Sequence, residues 1–288
     1  MSSQITTAFV EQYSANIQML SQQMGSLLRD AVRNESVVGK DAYFDQIGKV
    51  TAILKTSRHS DTPQIDTPHS RRRVSLADYE FADLIDQQDK VRLLIDPTSS
   101  YAKAAAYAMG RAMDDVIIAA ALGSANTGVS GGTAVALPAG NITAVGTGGA
   151  NTMNIAKLAL AKAKLDLGDV DPSITRHIIV SPTEIQDLLN TTTITSSDFN
   201  TVKALVQGEI DSFMGFKFHV SNRLVDNGAS NTQCIAFAED GILLGVGKDV
   251  TARIDERSDK SYATQVYYCQ TIGATRMEEA KVVSVLAN

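Results

Sequence analysis

The stretch Asp96-Pro97-Thr98-Ser99-Ser100-Tyr101-Ala102-Lys103-Ala104-Ala105-Ala106-Tyr107-Ala108-Met109-Gly110-Arg111-Ala112-Met113-Asp114-Asp115-Val116-Ile117-Ile118-Ala119-Ala120-Ala121-Leu122-Gly123 carries the strongest local signal in the chain. Asp96 is placed to cap a helix, and Pro97 suits the first helical position, where an N–H would have no intrahelical acceptor. Ala102, Ala105, Ala106, Met109, Met113, Val116, Ile117 and Ala120 then fall on one stripe at helical spacing. Lys103, Arg111, Asp114 and Asp115 fall opposite, and Gly123 is set to end the element. A helix over 97–122 is a rod of about 38 Å, well above the mean globular length. Its stripe is mostly Ala and Met, so a sheet packed on it approaches closely.

Upstream the texture changes. Lys49 to Lys55 alternates apolar and polar positions through Val50, Ala52 and Leu54, as a strand does. Ser57 to Ser70 is polar and holds Pro63, Pro68, His59 and His69, after which Arg71-Arg72-Arg73-Val74-Ser75-Leu76 resumes the alternation. Two strands around a polar, Pro-bearing tip predict a long hairpin. It has too few large apolar residues for a core of its own, and an isolated hairpin is marginal in water, so it must rest on something else. Nearer the N-terminus, Phe9 or Val10, Tyr13, Ile17, Leu20, Met24 and Leu27 or Leu28 predict an amphipathic helix with a Gln- and Ser-rich outer face.

Downstream, Gly123 to Ala150 reads as a long Gly-, Ser-, Thr- and Asn-rich loop with a short strand at Thr133 to Leu137. A helix over Thr152 to Leu167 follows, then a buried strand at His177 to Val180 and a helix that Ser181-Pro182 opens. Next come a helix around Thr201 to Val206, a strand near Phe216 to Val220, and apolar runs at Cys234 to Ala238 and Ile242 to Val246. Strands are expected at Val250 to Asp255, Tyr262 to Thr271 and Lys281 to Leu286. The order is α+β, without the regular alternation of a doubly wound sheet.

Composition narrows the function classes. The 288 residues are 44% hydrophobic and 20% charged, with a net charge of −6, which is ordinary for a globular protein. A chain this long buries roughly 75% of its unfolded surface and needs no metal or disulfide staple. Cys234 and Cys269 have no C-x-x-C spacing, so a reducing compartment is expected. The acidic balance argues against strong general binding to nucleic acid, which rests on cationic contacts to phosphate. No apolar run reaches the roughly 18–20 residues of a membrane span. Met1 to Ile5 lacks the basic-then-apolar pattern of a secretion signal, so the triplet Asn141-Ile142-Thr143 has no expected route to glycosylation. A soluble protein made in a cytoplasm is the expectation, with no membrane partner.

No catalytic constellation stands out. Gly128-Val129-Ser130-Gly131-Gly132 matches the nucleophile-elbow pattern, but that turn needs a strand before it and a helix after it. Nothing ties His59, His69, His177 or His219 to Ser130. Asp169-Val170-Asp171 reads as a turn after a helix rather than a metal site. Gly245-Val246-Gly247-Lys248-Asp249 lacks the Ser or Thr and the glycine spacing of a phosphate loop, and fits a strand turn better. No catalytic residue, cofactor or metal is expected. Arg71, Arg72 and Arg73 remain, with Asp83, Asp86 and Asp89 shortly downstream. Three readings stand: pairing of these arginines with these carboxylates on another copy, a solvated face, or phosphate contact with nucleic acid.

The order of parts is more informative than any motif. Arg71 to Ile95 leads into Asp96-Pro97 and the long helix to Leu122. The ending runs from Ala236-Phe237-Ala238-Glu239-Asp240-Gly241 through Ala252-Arg253-Ile254-Asp255-Glu256-Arg257 to Lys281-Val282-Val283. This layout resembles the tailed-bacteriophage major capsid protein, the Hong Kong phage-type capsid fold. The resemblance implies an N-terminal arm at 1–45 and an extended loop, the long β-hairpin, at 46–95. A peripheral domain would take 96–175 and 248–288, with its spine helix at 97–122, and an axial domain 176–247. It further implies a structural protein of the virion, assembled in the host bacterial cytoplasm into an icosahedral shell of hexamers and pentamers. Implied partners are a portal protein, a scaffolding protein, a decoration protein on some shells, and packaged double-stranded DNA held without sequence-specific binding. The segment before Phe9 is short for a built-in scaffold, so a separate one is expected. Some relatives cross-link through Lys and Asn; Lys49 and Lys55 lie in the hairpin, but no Asn partner is assigned. The alternatives are an encapsulin-type compartment shell and a serine hydrolase using Ser130.

Overall fold

The computed structural model describes residues 21–59, 61–85, 98–149, 151–190, 212–228 and 231–288. The first strands are β1 (Arg33–Ser36), β2 (Asp41–Ile47), β3 (His69–Ser75) and β4 (Ala77–Ile85), followed by helix α1 (Thr98–Leu122). Three short strands come next, β5 (Ala125–Thr127), β6 (Thr133–Val135) and β7 (Ile142–Thr143). Helix α2 (Ile155–Leu167), β8 (Arg176–Val180) and helix α3 (Pro182–Asn190) then alternate. The chain ends in β9 (Ser212–Phe213), β10 (Phe216–Val220), β11 (Thr232–Ala238), β12 (Ile242–Arg257), β13 (Ala263–Arg276) and β14 (Val282–Ala287). This is the α+β class expected. The chain divides into two compact units, and α1, β12 and β13 each contribute residues to both.

The larger unit, Leu27–Ala77, Asp114–Gly247 and Ile272–Asn288, is built on a six-stranded sheet in the order β7-β14-β11-β8-β10-β9. β8 lies parallel to β10 and antiparallel to β11. All five residues of β8 are buried, as are the last five of β11. That is why both read in the sequence as short unbroken apolar runs rather than as alternation. On one face Leu158 and Leu165 of α2 and Leu188 of α3 join Ile178, Phe216, Ala236 and Val283 of the sheet in one core. Both helices start on side-chain caps. Asn154 accepts from the Lys157 N–H at 2.8 Å, and Glu184 reaches back to the Ser181 N–H at 3.1 Å, a capping box. At the end of α2 the left-handed residue is Asp169, at φ 55, one position beyond Gly168.

Helix α1 follows the sequence reading, with one correction. Ile117, Ile118 and Ala121 are buried in the larger unit, and Ala105, Met109 and Met113 in the smaller. Asp114, read as part of the polar face, is fully buried. Its carboxylate accepts from the Leu27 N–H at 3.1 and 3.2 Å and from the Leu28 N–H at 3.2 Å. A buried charge held by amide donors looks no different in sequence from a solvated one. The far end of α1 is closed by Arg276, whose guanidinium donates to Ala121 O, Gly123 O and Val135 O at 2.9, 2.8 and 2.9 Å. A cation there meets carbonyls that lack intrahelical donors, at the negative end of the helix dipole.

The described part of the smaller unit holds Asp78–Met113, Lys248–Thr271 and the stretch up to Ser26. Its strands run in the order β12-β13-β4. Thr271 Oγ1 donates to Asp78 at 2.6 Å and Tyr267 Oη to Glu80 at 2.8 Å, tying β13 to β4. Gln270 donates to Met109 O at 3.0 Å, tying the sheet to α1. A Cβ on Gly110 would sit 2.4 Å from the carbonyl carbon of Gly25, so glycine lets the N-terminal segment cross the helix there.

Three expectations shift. The strand read at Lys49 to Lys55 is not one. The hairpin pairs β2 with β3, from Asp41↔Ser75 to Ile47↔His69, and the Gly48 N–H closes it on Pro68 O at 2.8 Å. Charge explains the choice, because Asp45 and Asp41 sit where they meet the arginines of β3, whereas 49–55 finds no partner strand among the described residues. The helix expected to reach Leu27 or Leu28 is irregular from Ser21 onward, where Gly25 takes φ 80. Its earlier part, the Asp96-Pro97 cap and the helix near 201–206 lie outside the described residues. Finally, Ile242 to Val246 and Val250 to Asp255 belong to one strand, so Gly245 to Asp249 is strand interior rather than a turn.

Candidate assembly interface

β3 displays its three arginines on alternate faces, as strand geometry requires. Arg71 lies directly across from Asp45, donating at 2.5 and 3.3 Å, with its guanidinium 5.7 Å from the Tyr43 ring centroid. The hydrogen bond from Arg71 holds the Asp45 carboxyl below the usual carboxylate range. Arg73 Nε lies 4.0 Å from Asp41, and its aliphatic stem occupies the space a Cβ on Gly131 would need. Arg72 turns the other way and is buried. Its Nε donates to Met277 O at 2.9 Å and its Nη2 to Glu279 at 2.6 and 2.5 Å. Thus the structure brings each arginine to a carboxylate of its own chain. Arg71 keeps a side chain 39% exposed, whereas Arg72 belongs to the interior. Asp83 is half-buried on β4 and accepts from the Leu84 N–H at 2.9 Å. Asp86 and Asp89 lie outside the described residues.

Beyond Gly48 the hairpin opens into residues 48–68, which run exposed and without regular structure among the described positions. Val50, Ile53 and Leu54 are 55%, 58% and 85% exposed. Lys49 pairs with Asp169 in the turn after α2, and this ion pair lowers the Asp169 carboxyl's affinity for a proton. Alternation flagged 49–55 in the sequence, but read it as internal pairing.

The catalytic alternative loses its geometry. Ser130 sits in a turn between β5 and β6, which pair antiparallel from Ala125↔Val135 to Thr127↔Thr133. Gly128 and Gly131 carry the positive φ of that hairpin, at 95 and 65, and no helix follows to make a nucleophile elbow. Asp169-Val170-Asp171 is a turn in which Asp169 meets Lys49 and Asp171 accepts from the Ser173 N–H. Among the described residues no three His, Cys, Asp or Glu side chains gather as a metal site, and no helix is long and apolar enough to cross a membrane. His177 and His219, adjacent on β8 and β10, do meet. Their Nδ1 and Nε2 are 2.9 Å apart, and His177 stacks on Phe237. Burial and the neighbouring His219 and Lys217 push the His177 imidazole down to about 4. No motif marked this pair, since it joins residues 42 positions apart.

A buried mixed sheet, a long helix and an exposed hairpin with no core of its own define a subunit made to be completed by neighbours. The chain belongs to the phage capsid protein family, whose model matches residues 5–288. It is a major capsid subunit, a structural component of the virion. The fold is similar to the capsid of Ralstonia phage GP4, with TM-score 0.76 and 10% identity, covering 97% of this chain and 95% of that one. It is similar also to the capsid of cyanophage P-SCSP1u, with TM-score 0.73 and 15% identity over 99% and 94%. A third similar structure is from Mycobacterium phage Che8, with TM-score 0.72 and 17% identity over 96% and 97%. No curated protein matches the sequence.

Proposed function

We propose that this chain assembles through pentamers and hexamers into a closed icosahedral shell around the double-stranded DNA genome of a tailed phage. Assembly would take place in the host cytoplasm, with a scaffolding protein, a portal and, on some shells, a decoration protein. The observation that carries this reading is the exposed apolar hairpin tip. A monomer gains nothing by leaving Val50, Ile53 and Leu54 in water, whereas a subunit that buries them against a neighbour stabilises the assembled form by mass action. A net charge of −6 suits a wall that confines DNA by closure rather than by tight contact. The role is structural, without enzymatic turnover, and a cargo-enclosing compartment is the less favoured variant. Within this reading we assign the arm to 1–45, the extended loop to 46–95, the peripheral domain to 96–175 and 248–288, and the axial domain to 176–247. The outward-facing Arg71 and Arg73 are the arginines assigned to contact Asp83, Asp86 and Asp89 of another copy.

Negative-stain electron microscopy of the expressed chain, paired with light scattering, tests the reading. Closed shells are the expected product, alone or with a co-expressed scaffold. A protein that stays monomeric in both settings overturns it. Deleting Val50 to Thr67, which spares β3, should leave a folded subunit whose shell yield falls at least tenfold. Undiminished yield from that deletion would remove the hairpin from the interface.

A further inference from the structure

We propose that residues 49–55 of one copy add as an extra strand to the outer edge of β12 in a second copy. The inference rests on the shell reading and deepens it by naming both segments and their register. β12 has β1 and β13 as its neighbours, and β1 pairs only with Leu243 to Val246. From Gly247 to Arg257 the β1 side of this strand therefore has no strand partner among the described residues. Such an edge offers a row of backbone donors and acceptors to any strand of matching pattern. The Val250 N–H is bonded instead to the Asp249 carboxylate at 2.8 Å, a local substitute for a ladder partner. Val250 and Ile254 are 38% and 50% exposed beside that edge. Segment 49–55 has strand alternation and no partner strand among the described residues. Both stretches are uncovered among the described residues, and their mutual charge match selects a second copy of the chain as the occupant.

The two sequences match in charge and in spacing. Lys49-Val50-Thr51-Ala52-Ile53-Leu54-Lys55 carries its cations six residues apart, and Asp249-Val250-Thr251-Ala252-Arg253-Ile254-Asp255 carries anions at the same spacing. Set antiparallel with Ala52 opposite Ala252, Lys49 meets Asp255 and Lys55 meets Asp249, while Val50 meets Ile254 and Leu54 meets Val250. Alternation then places both ion pairs on one face and both apolar pairs on the other. A slip of one residue sets each lysine against the wrong face, so the register is specified. Lys49 must exchange Asp169 for the partner copy's carboxylate, and exposed pairs of this kind exchange readily.

The test uses the full chain with Ala52→Cys and Ala252→Cys in a Cys269→Ser background. Particles are isolated, oxidised mildly and run on a non-reducing gel. Opposed positions in an antiparallel pair lie within disulfide reach, so a ladder of covalent multimers is expected. Neither single-cysteine variant should form it, and moving the second cysteine by Arg253→Cys should suppress it. In parallel, Lys49→Asp with Lys55→Asp should lower particle yield at least tenfold, and adding Asp249→Lys with Asp255→Lys should restore it, a rescue that a purely local structural role would not produce. Cysteine-bearing particles whose chains stay monomeric or link only within themselves overturn the proposal, as does failure of the charge rescue. If the wild-type chain forms no particles, the shell reading itself is broken and the strand pairing falls with it.

Discussion

Phe237 and Leu54 both sit in apolar stretches of sequence, yet Phe237 is fully buried and Leu54 is 85% exposed. The contrast separates two regions. The six-stranded sheet and the end of α1 bury their apolar side chains within the larger unit. The hairpin tip contributes almost nothing to that interior. In the sheet, stability comes from burial and from polar groups that find partners as they leave water. At the tip, Val50, Ile53 and Leu54 stay exposed among the described residues, as the proposed contact with a second copy requires. Capsid subunits thus have two stabilities, one of the fold and one of the assembly, and mutations in the two regions should separate them.

The sharpest separation is expected at Arg276. Its side chain is fully buried and satisfies two carbonyls at the end of α1 and one on β6. Replacement by Met keeps much of the volume but leaves those carbonyls without a donor and leaves Glu279 facing Arg72 alone. Breaking a buried charged network in this way costs roughly 3–5 kcal/mol. Urea unfolding of Arg276→Met should register that loss before any question of assembly arises. A loss below about 1 kcal/mol would mean that water replaces the guanidinium, and that the helix end is not part of the rigid region.

A smaller effect is expected at His177, and it depends on pH. Its ordinary value is 6.5 and the folded value is about 4, lowered first by burial and then by His219 and Lys217. Between these values the unfolded chain binds a proton that the folded chain resists. Stability from this group is therefore complete above pH 6.5 and declines as pH falls towards 4. The full shift corresponds to about 3 kcal/mol, and solvent screening on the half-exposed His219 side reduces it to about 2 kcal/mol. His177→Phe keeps the stack on Phe237 and removes the titration. The difference in unfolding free energy between wild type and variant should change between pH 8 and pH 4.5. A difference that stays constant across that range would show that the imidazole pair is solvated rather than part of the buried sheet.

The same contrast explains what the sequence reveals and what it hides. Strand β8, helix α3 with its Ser181 and Glu184 capping pair, and the long helix α1 are legible because local pattern and tertiary burial agree. Asp114 and Arg276 are not legible, because the groups that satisfy them come from the backbone of Leu27 and Leu28 in one case and of Ala121, Gly123 and Val135 in the other. The hairpin was legible as a hairpin but not in its register. Alternation at Lys49 to Lys55 marks a strand-competent segment without saying which chain supplies its partner. The His177–His219 contact leaves no local mark at all. As for the candidate site, the arginines are visible in the sequence as a charge cluster, while the alternation that sends Arg72 to Glu279 emerges only once β3 is placed.

The smallest effect is expected where the tip touches its own subunit. Lys49 bonds Asp169 with side chains 65% and 74% exposed, so water and salt screen the pair and its ordering entropy offsets most of the attraction. Lys49→Ala should leave the thermal unfolding midpoint of the unassembled subunit within about 1 °C of wild type, at low and high salt alike. Particle yield should nevertheless fall, because the same ammonium is needed at the neighbouring copy's β12 edge. If the midpoint drops by several degrees, the tip is anchored in its own subunit and the division between a self-sufficient sheet and an assembly-dependent hairpin fails. If neither quantity moves, Asp169 and the β12 edge are both dispensable to Lys49, and the docking energy of the tip must reside in Val50, Ile53 and Leu54 alone.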